Sequence, residues 1–165
     1  MPTLEEVAKQ SREERLDRMS RTPDDLAAAI RDESEATLMR RPDGKNWAAN
    51  EVICHLRDVE EAHFIRFHAI LDNDDPKIYA DPGAAERFAE DRQYLRSDAR
   101  QALAAFRRRR DESLALLRSL APEQWQRGCR HPTRGRLTIG TFVAILAWHD
   151  DNHLDQLRRA LEGKA

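Results

Sequence analysis

Glycine and β-branched runs are scarce in this chain, and their scarcity argues against a β-sheet protein. Only six glycines occur in 165 residues. Strands favour β-branched residues, and the tight turns between strands favour glycine. Ala, Leu, Arg and Glu dominate instead, and charged residues make up 35% of the chain, which is a composition typical of helices. The sequence therefore predicts an all-α protein.

Long apolar runs, cysteine motifs and an excess of one charge are also missing. No apolar stretch approaches the roughly 20 residues that span a bilayer, and the acidic, polar start of the chain does not resemble a signal peptide. Cys54 and Cys129 are the only cysteines and form no CxxC motif. The net charge is −2, with acids and bases interspersed. We therefore expect a cytoplasmic protein that binds neither membranes nor nucleic acid.

Apolar periodicity and turn residues predict four main helices. Thr22 is interpreted as an N-cap with Pro23 in the first helical position, and this helix is expected to run to about Met39. The other predicted elements are helices at about 48–71, 84–120 and from 138 to before Gly163, loops at 76–82 and 128–136, and a shorter helical segment at about 3–19. This pattern predicts a four-helix bundle in a single domain, 1–165, with residues 1–20 as an N-terminal helical extension.

Three histidines, His55, His149 and His153, are the candidate metal ligands. A spacing of four on a helix means about 40° of rotation and roughly 6 Å of rise, so His149 and His153 leave the same face. His55 can supply a third ligand from the second predicted helix. Three protein nitrogens leave coordination positions open, as catalytic metal sites do. The alternative is that these are ordinary core or surface histidines, because an i,i+4 pair arises readily among six histidines.

The arginine run Arg107–Arg110 lies on the third predicted helix. Consecutive helical residues are about 100° apart, so the four cannot form one basic face. Arg110 alone shares the apolar stripe of Phe106 and Leu117 and is expected to point inward. A buried guanidinium needs a partner. We predict that it pairs with an inward carboxylate, with Glu60 as the leading candidate, and that it lies toward the metal cleft, where its planar fork helps to bind a substrate anion. The alternative is a structural pairing with a carboxylate at the edge of the core.

The segments around the three histidines carry a family resemblance. Trp47–Glu60 resembles the second-helix signature of the DinB-like superfamily of metal-binding four-helix bundles, and Gly135–Thr138 followed by His149–Gln156 is similar to its fourth helix. The resemblance extends over roughly 20–160. It implies an up-down-down-up bundle that forms a homodimer, and it places the family's three metal ligands on His55, His149 and His153.

The resemblance also implies an activity, because the superfamily includes bacillithiol transferases and mycothiol-dependent maleylpyruvate isomerases. We expect one divalent metal ion, with Zn or Ni as the leading candidates and Fe, Mn or Cu as further ones. The expected partner is a small-molecule substrate, with a low-molecular-weight thiol as a candidate. The expected function is that of a metal-dependent thiol S-transferase or hydrolase. The alternative is a non-catalytic metal-binding bundle or a stress-response interaction module.

Residues beyond the three ligands are also assigned from the sequence. Metal-bound imidazoles usually donate their second N–H, so Glu60 and Asp150 are candidate acceptors, with solvated or structural acids as the alternative. Cys54 neighbours His55 on a helix and therefore points about 100° away from it. We expect Cys54 to be a buried, inert thiol. The sequence then supplies no nucleophile of its own.

Overall fold

The computed structural model describes residues 1–79 and 83–165, and it is mostly helical. The long helices are α2 (Arg12–Ile30), α4 (Ala49–Asp72), α6 (Ala99–Ser119) and α7 (Ile139–Leu161). The short ones are α1 (Leu4–Lys9), α3 (Glu35–Leu38) and α5 (Ala84–Asp91). None of the helices in the described residues has both the length and the apolar character that crossing a membrane requires.

Each end of the bundle has its own apolar core, and the members of each core give the direction of every long helix. One core joins the starts of α2 and α7 to the ends of α4 and α6, through Leu16, Ile139, Phe67 and Leu117. The other joins the ends of α2 and α7 to the starts of α4 and α6, through Ile30, Leu157, Ile53 and Ala102. In chain order the four helices therefore run up, down, down and up, which confirms the predicted topology.

The predicted start of the first long helix is wrong, because α2 passes through Pro23 instead of beginning there. Ser11 caps the helix: its Oγ accepts the N–H of Glu14, and the Glu14 carboxylate accepts the N–H of Ser11 at 2.7 Å. Pro23 has no N–H for the carbonyl of Met19, four residues earlier. Nη1 of Arg110 donates to that carbonyl at 2.9 Å. A contact from α6 thus satisfies the group that proline leaves free.

The predicted end of that helix is also wrong, because α2 stops at Ile30 rather than near Met39. Ser34 then starts the separate helix α3, since its Oγ accepts the N–H of Thr37 at 3.1 Å. A local side-chain cap thus replaces continued helix.

The long helix predicted over 84–120 is broken into two. After α5 the chain takes a left-handed conformation at Gln93, where φ is 49°, and makes a 3-10 turn at Tyr94–Arg96. The buried Tyr94 anchors this turn in the core. Asp98 then starts α6, because its Oδ1 accepts the N–H groups of Arg100 and Gln101.

The predicted loop 128–136 contains a short antiparallel hairpin of β1 (Gly128–His131) and β2 (Gly135–Thr138). A Cβ at Gly128 would lie 2.4 Å from the carbonyl oxygen of Leu137, so this close approach requires glycine. Four-residue strands leave the all-α class unchanged. Residues 80–82 of the predicted loop 76–82 lie outside the described residues.

Candidate metal centre

The three predicted histidines come together between α4 and α7. His55 lies in the second turn of α4, and His149 and His153 lie in the middle and second half of α7. The ring centroids are 5.2 Å apart for His55 and His149, 4.6 Å for His55 and His153, and 4.2 Å for His149 and His153. One donor nitrogen from each ring lies within 4.8 Å of the other two. The antiparallel packing of the two helices makes this meeting possible.

The donor set fits a divalent metal ion. Nε2 of His55 lies 3.1 Å from Nε2 of His149. Two nitrogens bound to one tetrahedral ion at about 2.1 Å would be about 3.4 Å apart. No carboxylate or thiol of the described residues joins the cluster. Three imidazole ligands of this kind would leave coordination positions for water or substrate.

Burial keeps the three imidazoles in the neutral form that binds metals. Burial and the neighbouring His153 lower the pKa of His55 to about 3. Burial and then His153 and His55 lower the pKa of His149 well below its usual value, and burial also lowers the pKa of His153. The rings therefore present lone pairs rather than a second proton at neutral pH.

Two residues that the sequence reasoning gave no role, Gln156 and Trp47, orient the imidazoles. Nδ1 of His153 donates to Oε1 of Gln156 at 2.7 Å, which leaves Nε2 as the free donor atom for a ligand. The Trp47 ring stacks on His153 with 17° between the planes and lies 5.0 Å from the His55 ring. The i,i+3 spacing of His153 and Gln156 on one helix is a signal that could have identified Gln156. Trp47 precedes α4 and carried no such signal.

A second buried polar cluster lies next to the histidines, and we call it the Arg110 hub. Nη2 of Arg110 lies 2.8 Å from Oε2 of Glu60. Nη1 and Nη2 donate to the carboxylate of Asp150 at 2.5 and 3.1 Å, and the Thr22 hydroxyl donates to the same carboxylate at 2.7 Å. Arg110 also donates to the Met19 carbonyl. The hub therefore connects all four long helices.

The other predicted site residues, Arg110, Glu60 and Asp150, all belong to the hub, where the guanidinium contacts both carboxylates. The predicted inward orientation of Arg110 and its ion pair with Glu60 are both present. Arg110 is 1% exposed, Glu60 1% and Asp150 0%. The imidazole N–H of His153 is accepted by Gln156, whereas Glu60 and Asp150 both face the guanidinium. A guanidinium enclosed in this way presents no free face to a substrate, which favours the pairing interpretation over anion binding.

A cavity of about 500 Å³ borders His55. Its walls come from one face of α4 and from the segment that contains α5, and they include His55, Val59, His63, Arg66, Phe88 and Tyr94. The cavity thus adjoins the histidine cluster through His55.

The thiols and the remaining histidines lie outside the cluster. Cys54 and Cys129 are both fully buried, and burial raises the pKa of each thiol. Cys54 is therefore the inert thiol that the sequence predicts. His68 is exposed, and the ring of His131 accepts backbone N–H groups from its own turn.

The protein is therefore an up-down-down-up helical bundle with a three-histidine candidate metal site between two of its long helices. A family model described as the DinB superfamily matches residues 18–157. The chain belongs to the DinB superfamily.

Individual relatives are similar over most of the chain. The putative metal-dependent hydrolase YfiT of Bacillus subtilis is 24% identical over 151 residues, which cover 91% of this chain and 84% of that protein. A putative metal-dependent hydrolase of Oceanobacillus iheyensis is 30% identical over 108 residues, 66% of this chain and 61% of that protein. A solved structure of YfiT, described as a probable metal-dependent hydrolase with an unusual four-helix bundle topology, has a TM-score of 0.84 at 21% identity and covers 100% of this chain and 92% of its own. The fold is therefore shared.

Proposed function

We propose that this protein is a metal-dependent hydrolase whose divalent ion is held by His55, His149 and His153. The observation that carries the proposal is the meeting of three neutral imidazole donors within 4.8 Å beside a cavity. The names of the similar proteins, metal-dependent hydrolases, support the same reaction class.

The chain's own groups have separable roles in this proposal. The three histidines supply lone pairs, and Gln156 holds His153 in the tautomer whose Nε2 is free. Trp47 packs against two of the rings and limits their rotation. A divalent ion, when bound, would make a water or a thiol more acidic and would polarise a carbonyl oxygen. The cavity beside His55 would position the substrate and exclude bulk water.

The attacking group would come from outside the chain, because both cysteines are buried and the three histidines would hold the metal. Water as the attacking group gives hydrolysis. A low-molecular-weight thiol gives S-transfer, and the burial of both cysteines fits this second candidate equally well. The product formed in the presence of a thiol distinguishes the two reactions.

The test compares metal content and turnover in protein purified without an affinity tag. Wild type and the control His68→Gln should bind one equivalent of Zn or Ni and should process an ester panel or an electrophile–thiol pair only when metal is present. His55→Ala, His149→Ala and His153→Ala should lose metal and turnover together. Full metal content in all three variants would contradict the ligand assignment, and turnover that does not depend on metal would contradict the reaction class.

A further inference from the structure

Arg66 is a half-buried cation in the wall of the cavity that borders His55. Its Nη1 lies 3.0 Å from Nε2 of His63, and its guanidinium lies 5.1 Å from the centroid of the Phe142 ring. Neither partner carries a negative charge, and Arg66 forms no ion pair with any carboxylate in residues 1–79 and 83–165. Arg109, by contrast, faces the carboxylate of Glu61 at 2.6 Å.

His63 holds Arg66 in place without neutralising it. Nδ1 of His63 donates to the carbonyl of Val59 at 2.8 Å, which leaves Nε2 unprotonated as the acceptor for Arg66. Burial lowers the pKa of His63 to about 3, so the ring stays neutral. The guanidinium is thus held by a neutral acceptor, and within the part of the chain that the structure describes its other N–H groups form no hydrogen bond.

The charge of Arg66 is partly desolvated, and no carboxylate of residues 1–79 and 83–165 compensates it. Burial lowers the pKa of Arg66, which means that its charged form is disfavoured. The nearby group that would raise this pKa, if it were ionised, is the buried thiol of Cys129. Burial raises the pKa of that thiol, which is therefore neutral at pH 7. A cation removed from water without a counter-ion is costly, and an anion in the cavity would offset the cost.

The position of Arg66 along α4 sets the shape of a matching ligand. His55, Val59, Ala62 and Arg66 recur at intervals of four, three and four, so they share one face. Eleven residues correspond to about 16 Å along the axis, and a long helical side chain leans back toward the N-terminus and shortens that span. The wall between the two ends includes Val59, Ala62 and Phe88. The cavity thus has the cluster residue His55 toward one end, together with Asp58, whose carboxylate is paired with Arg57 and Arg92. Its middle is largely apolar, and Arg66 lies toward the other end.

We propose that Arg66 binds a carboxylate at the end of the substrate that lies away from the histidine cluster, and that the middle of this substrate is apolar. The planar fork of the guanidinium suits a carboxylate. This inference rests on the proposed function only in treating the cavity as the substrate site. The expected substrate is therefore an elongated apolar molecule with a terminal carboxylate.

The test uses the metal-free full-length chain, so that a carboxylate cannot bind through the metal and a failure of the proposed function does not affect the result. Calorimetry compares phenylbutyrate with its uncharged amide, phenylbutanamide. Wild type should prefer the carboxylate by about tenfold or more. Arg66→Met should abolish the preference, Arg66→Lys should keep part of it, and the control Arg118→Met, at an exposed arginine outside the cavity lining, should keep all of it.

A crystal structure of the wild-type chain with phenylbutyrate tests whether Arg66 binds the carboxylate even if the variants fail to fold. The expected result is a carboxylate within hydrogen-bonding distance of the Arg66 guanidinium. Equal binding of acid and amide by wild type, no binding of either, a preference that survives in Arg66→Met, or a carboxylate located elsewhere would each overturn the proposal.

Discussion

The Arg110 hub and the histidine cluster are neighbouring polar groups, adjacent in sequence at Asp150 and His149, but they differ in where their partners come from. In the hub, one cation meets two carboxylates, and groups from all four long helices take part. In the histidine cluster, neutral rings face one another, with Nε2 of His55 3.1 Å from Nε2 of His149, and no carboxylate or thiol of the described residues joins them. The charges of the hub are paired within the chain, although Nε of Arg110 and Oε1 of Glu60 have no hydrogen-bond partner among the described residues. The facing lone pairs of the cluster are instead suited to accept a cation from outside.

If the hub is structural, removing its cation should have the largest effect on stability. Arg110→Met leaves Glu60 and Asp150 buried without a counter-charge and frees the Met19 carbonyl beside Pro23. We expect a loss of about 3 to 5 kcal/mol in the free energy of unfolding, measured by urea denaturation. A loss below about 1 kcal/mol would show that the hub does not hold the helices together.

The matched control is Arg107→Met, on the same helix and in the same arginine run. Arg107 pairs with Asp24 at 2.8 Å, but the Arg107 side chain is 41% exposed and that of Asp24 is 77% exposed. Exposed ion pairs contribute about 0 to 1 kcal/mol. A control as damaging as Arg110→Met would remove the contrast between an enclosed and an exposed arginine.

If the histidine cluster accepts a metal from outside, metal should stabilise the fold through the cluster and not through the hub. Zn at a free concentration of about 100 times its dissociation constant should raise the free energy of unfolding by about 2.7 kcal/mol. The gain should disappear in His153→Ala, because the site then lacks one of its three ligands. It should persist in His68→Gln, and a gain of equal size in His153→Ala would place the metal elsewhere.

A smaller effect, on metal affinity, should follow from changing Gln156, which orients the ligand His153. Gln156→Leu removes the acceptor for Nδ1 of His153 but keeps all three imidazoles. We expect metal affinity to fall by about tenfold, measured by competition with a chelator. The control Asn152→Ala alters a side chain that bonds to the Trp148 carbonyl of its own helix and should leave the affinity unchanged. Equal affinities for wild type and Gln156→Leu would rule out the orienting role.

A further effect concerns pH and the partly buried His63. The pKa of this ring is lowered by burial from 6.5 to about 3, so between these values the unfolded chain binds a proton that the folded chain does not. The free energy of unfolding should therefore fall as the pH drops below 6.5. In metal-free protein, His63→Gln should reduce this fall by up to about one proton's contribution. Parallel profiles for wild type and His63→Gln would contradict the neutral, buried state.

The parts of the fold that sequence reasoning predicted correctly are those that depend on local spacing. The pair His149 and His153 follows from helical periodicity, and α4 and α7 lie within a residue or two of their predicted limits. The predicted helix start at Pro23 was wrong because Thr22-Pro23 is, judged locally, a good start signal for a helix. The hydrogen bond that satisfies the Met19 carbonyl comes from Arg110, which is distant in sequence. Such a tertiary contact leaves no mark in local periodicity.

The break before α6 was missed for a different reason. Gln93 adopts a left-handed conformation, which glutamine rarely does and which its residue type therefore does not predict. The buried Tyr94 is compatible with an apolar position of a continuous helix, so it did not indicate a break either. Asp98 was the available clue, because aspartate is a strong N-cap.

X-ray absorption spectroscopy of the protein loaded with one equivalent of Zn identifies the ligands of the bound metal. We expect three imidazole nitrogens at about 2.0 to 2.1 Å, with the remaining positions filled by light atoms from solvent. In His149→Ala the imidazole count should fall, while in His68→Gln it should stay the same. Sulfur at about 2.3 Å, or an unchanged imidazole count in His149→Ala, would contradict the assignment of the metal to His55, His149 and His153.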